Sequence, residues 1–124
     1  MKRSIRIAGT LAVITGVVGA ATLAAAADEA KLQHGKEVYE YWCTSCHGKG
    51  LGLFGPGTLP GTMALALKYK GAEPPVLEDR IDLDPQFVNT VVRHGIQAMP
   101  PFRKTEITDA ELEDMTAYLT RTAR

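Results

Sequence analysis

The 124-residue sequence predicts an all-α domain of three principal helices, one short helix and glycine- and proline-rich loops. Apolar residues recur at intervals of three and four in three separate stretches, the period of one helix face. Two of those stretches also carry start signals. Asp84-Pro85 is an N-cap followed by proline at the first helical position, and Thr108-Asp109-Ala110-Glu111 is a capping box. The length suits one domain, and a formal charge of zero without a basic run excludes a nucleic-acid partner.

Residues 1–27 read as a segment outside the fold. Lys2, Arg3 and Arg6 form a positive head, Ile7 to Leu23 is uncharged and mostly apolar, and Ala24 to Ala27 are small residues before Asp28-Glu29. That order is expected of a secretory signal peptide cleaved after Ala27, leaving a domain of residues 28–124 in an exported, periplasmic protein. The rival is an uncleaved anchor, because the apolar run approaches bilayer-spanning length. Gly9, Thr10, Thr15, Gly16, Gly19 and Thr22 dilute the run, and it ends in an A-x-A site. Cleavage leaves no stable membrane span. It leaves 97 residues with eleven positive and fourteen negative side chains, a net charge of −3. A chain so short has a thin core of its own.

The first helix is expected from Lys31 to Tyr41 or Trp42, with Leu32, Gly35, Val38, Tyr39 and Trp42 on one face. Gly35 in that face costs about 1 kcal/mol relative to alanine. It marks either a close helix crossing or a frayed helix start. Residues 48–57 hold five glycines and a proline, so they form a loop rather than a helix or a central strand. The loop is apolar, with Leu51, Leu53, Phe54 and Leu59 available to pack on something flat. Thr62 to Tyr69 is a short helix closed by Gly71, although its alternating apolar residues also fit a strand. The next helix lies between Asp84 and Gly95, with Phe87, Val88, Val91 and Val92 as its stripe. Arg93 and His94 suit its negative C-terminal end. A proline-stiffened loop, Ile96 to Phe102, follows. Leu112, Met115, Tyr118 and Leu119 form the buried face of the last helix, and Arg121 and Arg124 follow at its C-terminal end.

Both cysteines of the chain and one of its three histidines lie in Cys43-Thr44-Ser45-Cys46-His47. Cys-x-x-Cys-His is the attachment signature of a c-type haem. Thiols at i and i+3 can each add to one vinyl group, and the next side chain then lies under the ring, where its imidazole can bind iron. A bare Cys-x-x-Cys can also be a thioredoxin-like pair or half a zinc site. No parallel-sheet pattern surrounds the motif and no second Cys or His pair completes a zinc site. A disulfide between i and i+3 would close only a tiny loop. A carbonyl from the flexible loop after His47 can approach Nδ1–H and fix the ring, as metal-bound histidines need.

The candidates for the opposite position on the iron are Met63, Met99, Met115, His34 and His94. Met115 and Met63 lie in helices, where methionine is ordinarily core filler. His34 is expected to face solvent, and His94 suits a helix terminus on electrostatic grounds alone. Met99 stands outside any helix stripe, in a loop stiffened by Pro100 and Pro101. A thioether binds weakly and needs such a frame. With the haem motif 52 residues upstream, Met99 is the expected ligand.

These residues together resemble the small mono-haem class I cytochromes c: the Cys43–His47 motif near the end of a first helix, Gly55-Pro56, Met99-Pro100 and the terminal helix with Tyr118-Leu119. The resemblance spans nearly all of residues 31–121. It implies a cytochrome c fold wrapped around one covalent haem c, bound through Cys43 and Cys46. It also implies His47 and Met99 as axial ligands, and Pro56 lending its carbonyl to His47. It matches Gly35 and Tyr39 to first-helix positions that cross the terminal helix near Tyr118. Ile96 to Phe102 is similar to the cytochrome subunits of p-cresol methylhydroxylase-type flavocytochromes, although residues 61–81 are longer than in many such subunits.

The expected function is single-electron transfer rather than catalysis. Electrons would come from a periplasmic dehydrogenase, flavin-dependent if the narrower resemblance holds, and leave to another cytochrome, a cupredoxin or an oxidase. The alternative is a haem protein that binds ligands or catalyses at an open or displaceable distal site, for which His94 is the candidate acid–base group. A non-haem thiol protein is the third reading.

Overall fold

The computed structural model describes the backbone of residues 17–124 and the side chains of residues 23–124. The elements are α1 (Val17–Trp42), α2 (Thr44–His47), a hairpin of β1 (Leu51–Gly52) and β2 (Gly55–Pro56), α3 (Pro60–Tyr69), a 3-10 turn (Leu77–Asp79), α4 (Pro85–His94) and α5 (Asp109–Thr120). The expected all-α architecture is present, with the small antiparallel hairpin as an addition.

Within the described residues the first helix spans Val17–Trp42, extending upstream of the expected start at Lys31. The alanine-rich stretch 20–27 contains no proline, and alanine is the best helix former, so the helix propagates through it. Residues 23–30 are all exposed and lend nothing to the core. The positive head of the expected signal segment and its first apolar residues lie outside the described residues. None of the described helices is long and apolar enough to cross a membrane.

The main packing pair is α1 against α5, and Gly35 sits at their crossing. A Cβ there would lie 2.0 Å from the carbonyl oxygen of Asp114. Gly35 is therefore a close-approach glycine, not a frayed helix start. The core runs outward from this crossing through Val38, Tyr39, Cys43, Leu83, Val88, Val92, Ile107, Leu112, Met115, Tyr118 and Leu119. Tyr39 is 0% exposed and its ring lies 5.9 Å from that of Tyr118.

The capped helices form as their local chemistry dictates. The Asp84 carboxylate accepts from the Phe87 amide at 2.8 Å, with Pro85 in the first turn. The Thr108 hydroxyl accepts from the Glu111 amide, and the Glu111 carboxylate accepts from the Thr108 amide at 2.7 Å. In α4 the buried stripe narrows to Val88 and Val92, while Phe87 is half exposed. The short helix begins two residues earlier than expected, at Pro60, and Lys70 closes it at φ 49° before Gly71.

Candidate functional site

The Cys43–His47 stretch is a rigid turn attached to the end of α1. The amides of Cys46 and His47 both donate to the Cys43 carbonyl, and the Cys43 amide donates back to Tyr39 O at 2.9 Å. Two side chains from elsewhere pin the outer carbonyls. The Tyr39 hydroxyl donates to His47 O at 3.2 Å. The hydroxyl of Thr62, 1% exposed, donates to Gly48 O at 2.9 Å and Cys46 O at 3.4 Å. The motif is thus held on one side by α1 and on the other by α3.

The thiols differ in environment. Cys43 is buried, with Sγ 3.7 Å from Met115 Sδ, while Cys46 is exposed, and both are free. Burial, with a smaller contribution from Cys46, pushes the Cys43 thiol up to about 12. A catalytic dithiol needs a lowered pKa and access, so this pair is unsuited to thiol–disulfide exchange. Among the described residues no group of three or more His, Cys, Asp or Glu is arranged to hold a metal ion.

His47 is partly buried. Burial holds its pKa below the ordinary histidine value, and an unprotonated nitrogen is what a metal requires. Its Nδ1 is buried and has no hydrogen-bond partner among the described residues. The expected Pro56 carbonyl does not reach it. Pro56 is exposed, because pairing with Leu51 in the hairpin ladder holds it at the surface. The imidazole is instead flanked by Gly61, where an added Cβ would stand 2.5 Å from Cε1 and 2.7 Å from Nδ1. A bare glycine against an imidazole whose buried Nδ1 has no hydrogen-bond partner among the described residues forms a cradle that fits a haem-ligating histidine.

Met99 lies in a tight turn closed by two backbone hydrogen bonds, Ile96 N to Met99 O at 3.1 Å and Met99 N to Ile96 O at 2.9 Å. Gln97 takes φ 53° at the first central position, the pattern of a type II′ turn. Gly95 before it has φ 72°, and a Cβ there would meet Met99 O at 2.6 Å. The turn presents Met99, partly buried, to the same core that contains Cys43.

Of the other candidates, Met115 also lies beside the motif, with Sδ 3.7 Å from Cys43 Sγ. Met115 is completely buried between α1 and α5, and Met63 is half buried in α3. His34 is exposed and bonds the Asp114 carboxylate at 2.7 Å. His94 is exposed, with Nδ1 3.0 Å from Thr90 O of its own helix, which argues against a distal acid–base role. The sequence reading missed Gly61, Thr62 and the Tyr39 hydroxyl. A glycine in a helix's first turn was the only local hint of the first, and the others depend on tertiary placement. Leu51, Leu53 and Phe54 are exposed on the hairpin.

A known family described as "Cytochrome C oxidase, cbb3-type, subunit III" matches residues 30–119. The matched stretch takes in the Cys43–His47 turn, Gly61, the Met99 turn and α5 up to Leu119. No curated protein and no solved structure matches the chain.

Proposed function

Because the chain belongs to the cytochrome c family represented by subunit III of cbb3-type cytochrome c oxidase, and so carries haem c covalently in a cytochrome c fold, we propose that it is an exported mono-haem electron carrier with His47 and Met99 as the axial iron ligands. The ligand pair is supported by the Ile96–Met99 turn, which holds a partly buried methionine outside any helix against the core that includes Cys43, whereas Met115, also beside Cys43, is fully enclosed within α5. Bound between these residues, haem c supplies a one-electron iron couple.

The chain's own residues supply constancy. Tyr39 and Thr62 fix the backbone that carries His47, Gly61 admits its ring, and Cys43 and Cys46 provide the thioether anchors. A thioether opposite imidazole raises the potential relative to two imidazoles, which suits uptake from a dehydrogenase and delivery towards an oxidase. The family name points to the oxidase side. The likeness of Ile96–Phe102 to the cytochrome subunits of alkylphenol-oxidising flavocytochromes favours a flavin-dependent donor. Export rests on the order of charge, apolar run and small residues in 1–27. Mass measurement of the isolated protein should find a chain starting at Asp28; a chain retaining residues 1–27 would overturn cleavage.

Carbon monoxide added to the reduced protein at neutral pH tests the ligand pair. The native protein should bind it slowly and incompletely, Met99→Ala rapidly and completely, and Met115→Leu as the native protein does. Rapid, complete binding by the native protein would instead establish the open-site reading. A haem stain after denaturing electrophoresis should remain positive in all three.

A further inference from the structure

We propose that Arg93 is the positioning residue that holds Met99 at the iron, an inference that rests on Met99 being the second axial ligand. The two hydrogen bonds of the Ile96–Met99 turn define its local shape, but they do not fix where the turn sits on the molecule. Its entry is tied to α4 by the Gly95 amide, which donates to Val91 O at 2.8 Å, and its exit is held further along the chain. The Phe102 amide donates to Val92 O at 2.8 Å. The Phe102 carbonyl accepts from Arg93 Nη1 at 3.1 Å, and the same nitrogen donates to Ile107 O at 2.9 Å. Arg93 Nη2 completes the bridge to Asp109 Oδ1 at 3.0 Å, at the start of α5. The peptide groups flanking Phe102 are therefore held by consecutive residues of α4.

Between this anchor and Met99 stand only Pro100 and Pro101. Their fixed φ angles allow little bending, so a displacement at Phe102 is transmitted to Met99. The Phe102 ring also meets the Trp42 ring edge-on at 5.7 Å, next to Cys43 in sequence. The Arg93 side chain is 14% exposed and its two carbonyl bonds are part-buried, while the Asp109 carboxylate it also meets is open to solvent. A forked guanidinium can serve two carbonyls and a carboxylate together, which a lysine ammonium cannot do in the same planar geometry. The sequence reading gave Arg93 only a helix-dipole role.

The test uses haem-loaded protein with Arg93→Gln, Arg93→Lys, Met99→Ala and Lys104→Ala. Lys104 bonds the same Asp109 carboxylate at 2.6 Å but no loop carbonyl, which makes it the control. Three readouts are taken: the weak near-infrared sulfur-to-iron band of the ferric state, imidazole affinity, and thermal unfolding. Loss of charge-assisted hydrogen bonds should weaken or abolish the band in Arg93→Gln and tighten imidazole binding by about ten- to hundredfold. Arg93→Lys should fall between, and Lys104→Ala should match the native protein in both. If Arg93→Gln yields no folded protein, the graded response of Arg93→Lys decides. An Arg93 variant with native band and native imidazole affinity overturns the proposal, even if its melting temperature falls. A native protein with no band and the imidazole affinity of Met99→Ala overturns the Met99 reading, and this inference with it.

Discussion

Gly61 is a position where one methyl group sets two effects against each other. On helix propensity alone, alanine in place of glycine gains about 1 kcal/mol. In this molecule the added Cβ would lie within 2.8 Å of three atoms of the His47 ring, so the imidazole or α3 must move. Overpacking of this kind costs about 1–3 kcal/mol, and the clash should win. Gly61→Ala is expected to lower the melting temperature of the haem-loaded protein and to change its iron spectrum. Unchanged spectrum and raised stability would show that the cradle yields freely. The residue's role was not legible in the sequence, since contact with His47 arises only when α3 folds back over α2. His47 itself was legible, because attachment chemistry fixes its distance from the cysteines.

At the scale of elements, the α1–α5 crossing carries a titratable clasp. His34 Nδ1 and the Asp114 carboxylate are 2.7 Å apart, and Lys31 bonds Glu113 at 2.5 Å on the same seam. The bond to Asp114, reinforced by the charges of Asp114, Glu111 and Glu37, holds the His34 pKa above its ordinary 6.5. A raised folded-state value means that the clasp's contribution is full below pH 6.5 and is lost as pH rises through the folded value. The melting temperature of His34→Gln should therefore fall furthest below the native protein's under mildly acidic conditions, with the gap closing in alkaline buffer. A gap independent of pH would remove the clasp. The helix starts at Asp84 and Thr108 were legible because capping is local, spanning three residues. The hairpin was not, since strands of two residues in a glycine-rich loop give no periodic signal. The upstream part of α1 went unread for another reason: its residues match a signal segment and a helix equally well.

Across the whole molecule, the pieces of the site come from four places: the end of α1, the turn of α2, the start of α3 and the loop between α4 and α5. Sequence motifs point to Cys43, Cys46, His47 and Met99 as the proposed site because each carries chemistry in its own side chain or immediate neighbours. The supporting residues escaped notice because their roles are relations between distant segments. Tyr39 reaches the carbonyl of His47, Thr62 that of Gly48, and Arg93 those of Phe102 and Ile107. The same separation applies to Pro56, which pairs with Leu51 in the hairpin and makes no hydrogen bond to His47 Nδ1.

The unequal burial of the two motif cysteines also sets an order of events in the protein's biogenesis. Cys46 stands at the surface, but Cys43 is enclosed beside Met115, and its thiol is pushed up to about 12, leaving little thiolate at neutral pH. Once the chain has folded, one anchor is open and the other is closed. The link to Cys43 is therefore expected to form before α5 closes over α1, while Cys46 stays accessible afterwards. Brief alkylation of the folded, cofactor-free chain should label Cys46 and spare Cys43, and labelling after unfolding should reach both. Equal labelling of the folded chain would mean that assembly can follow folding.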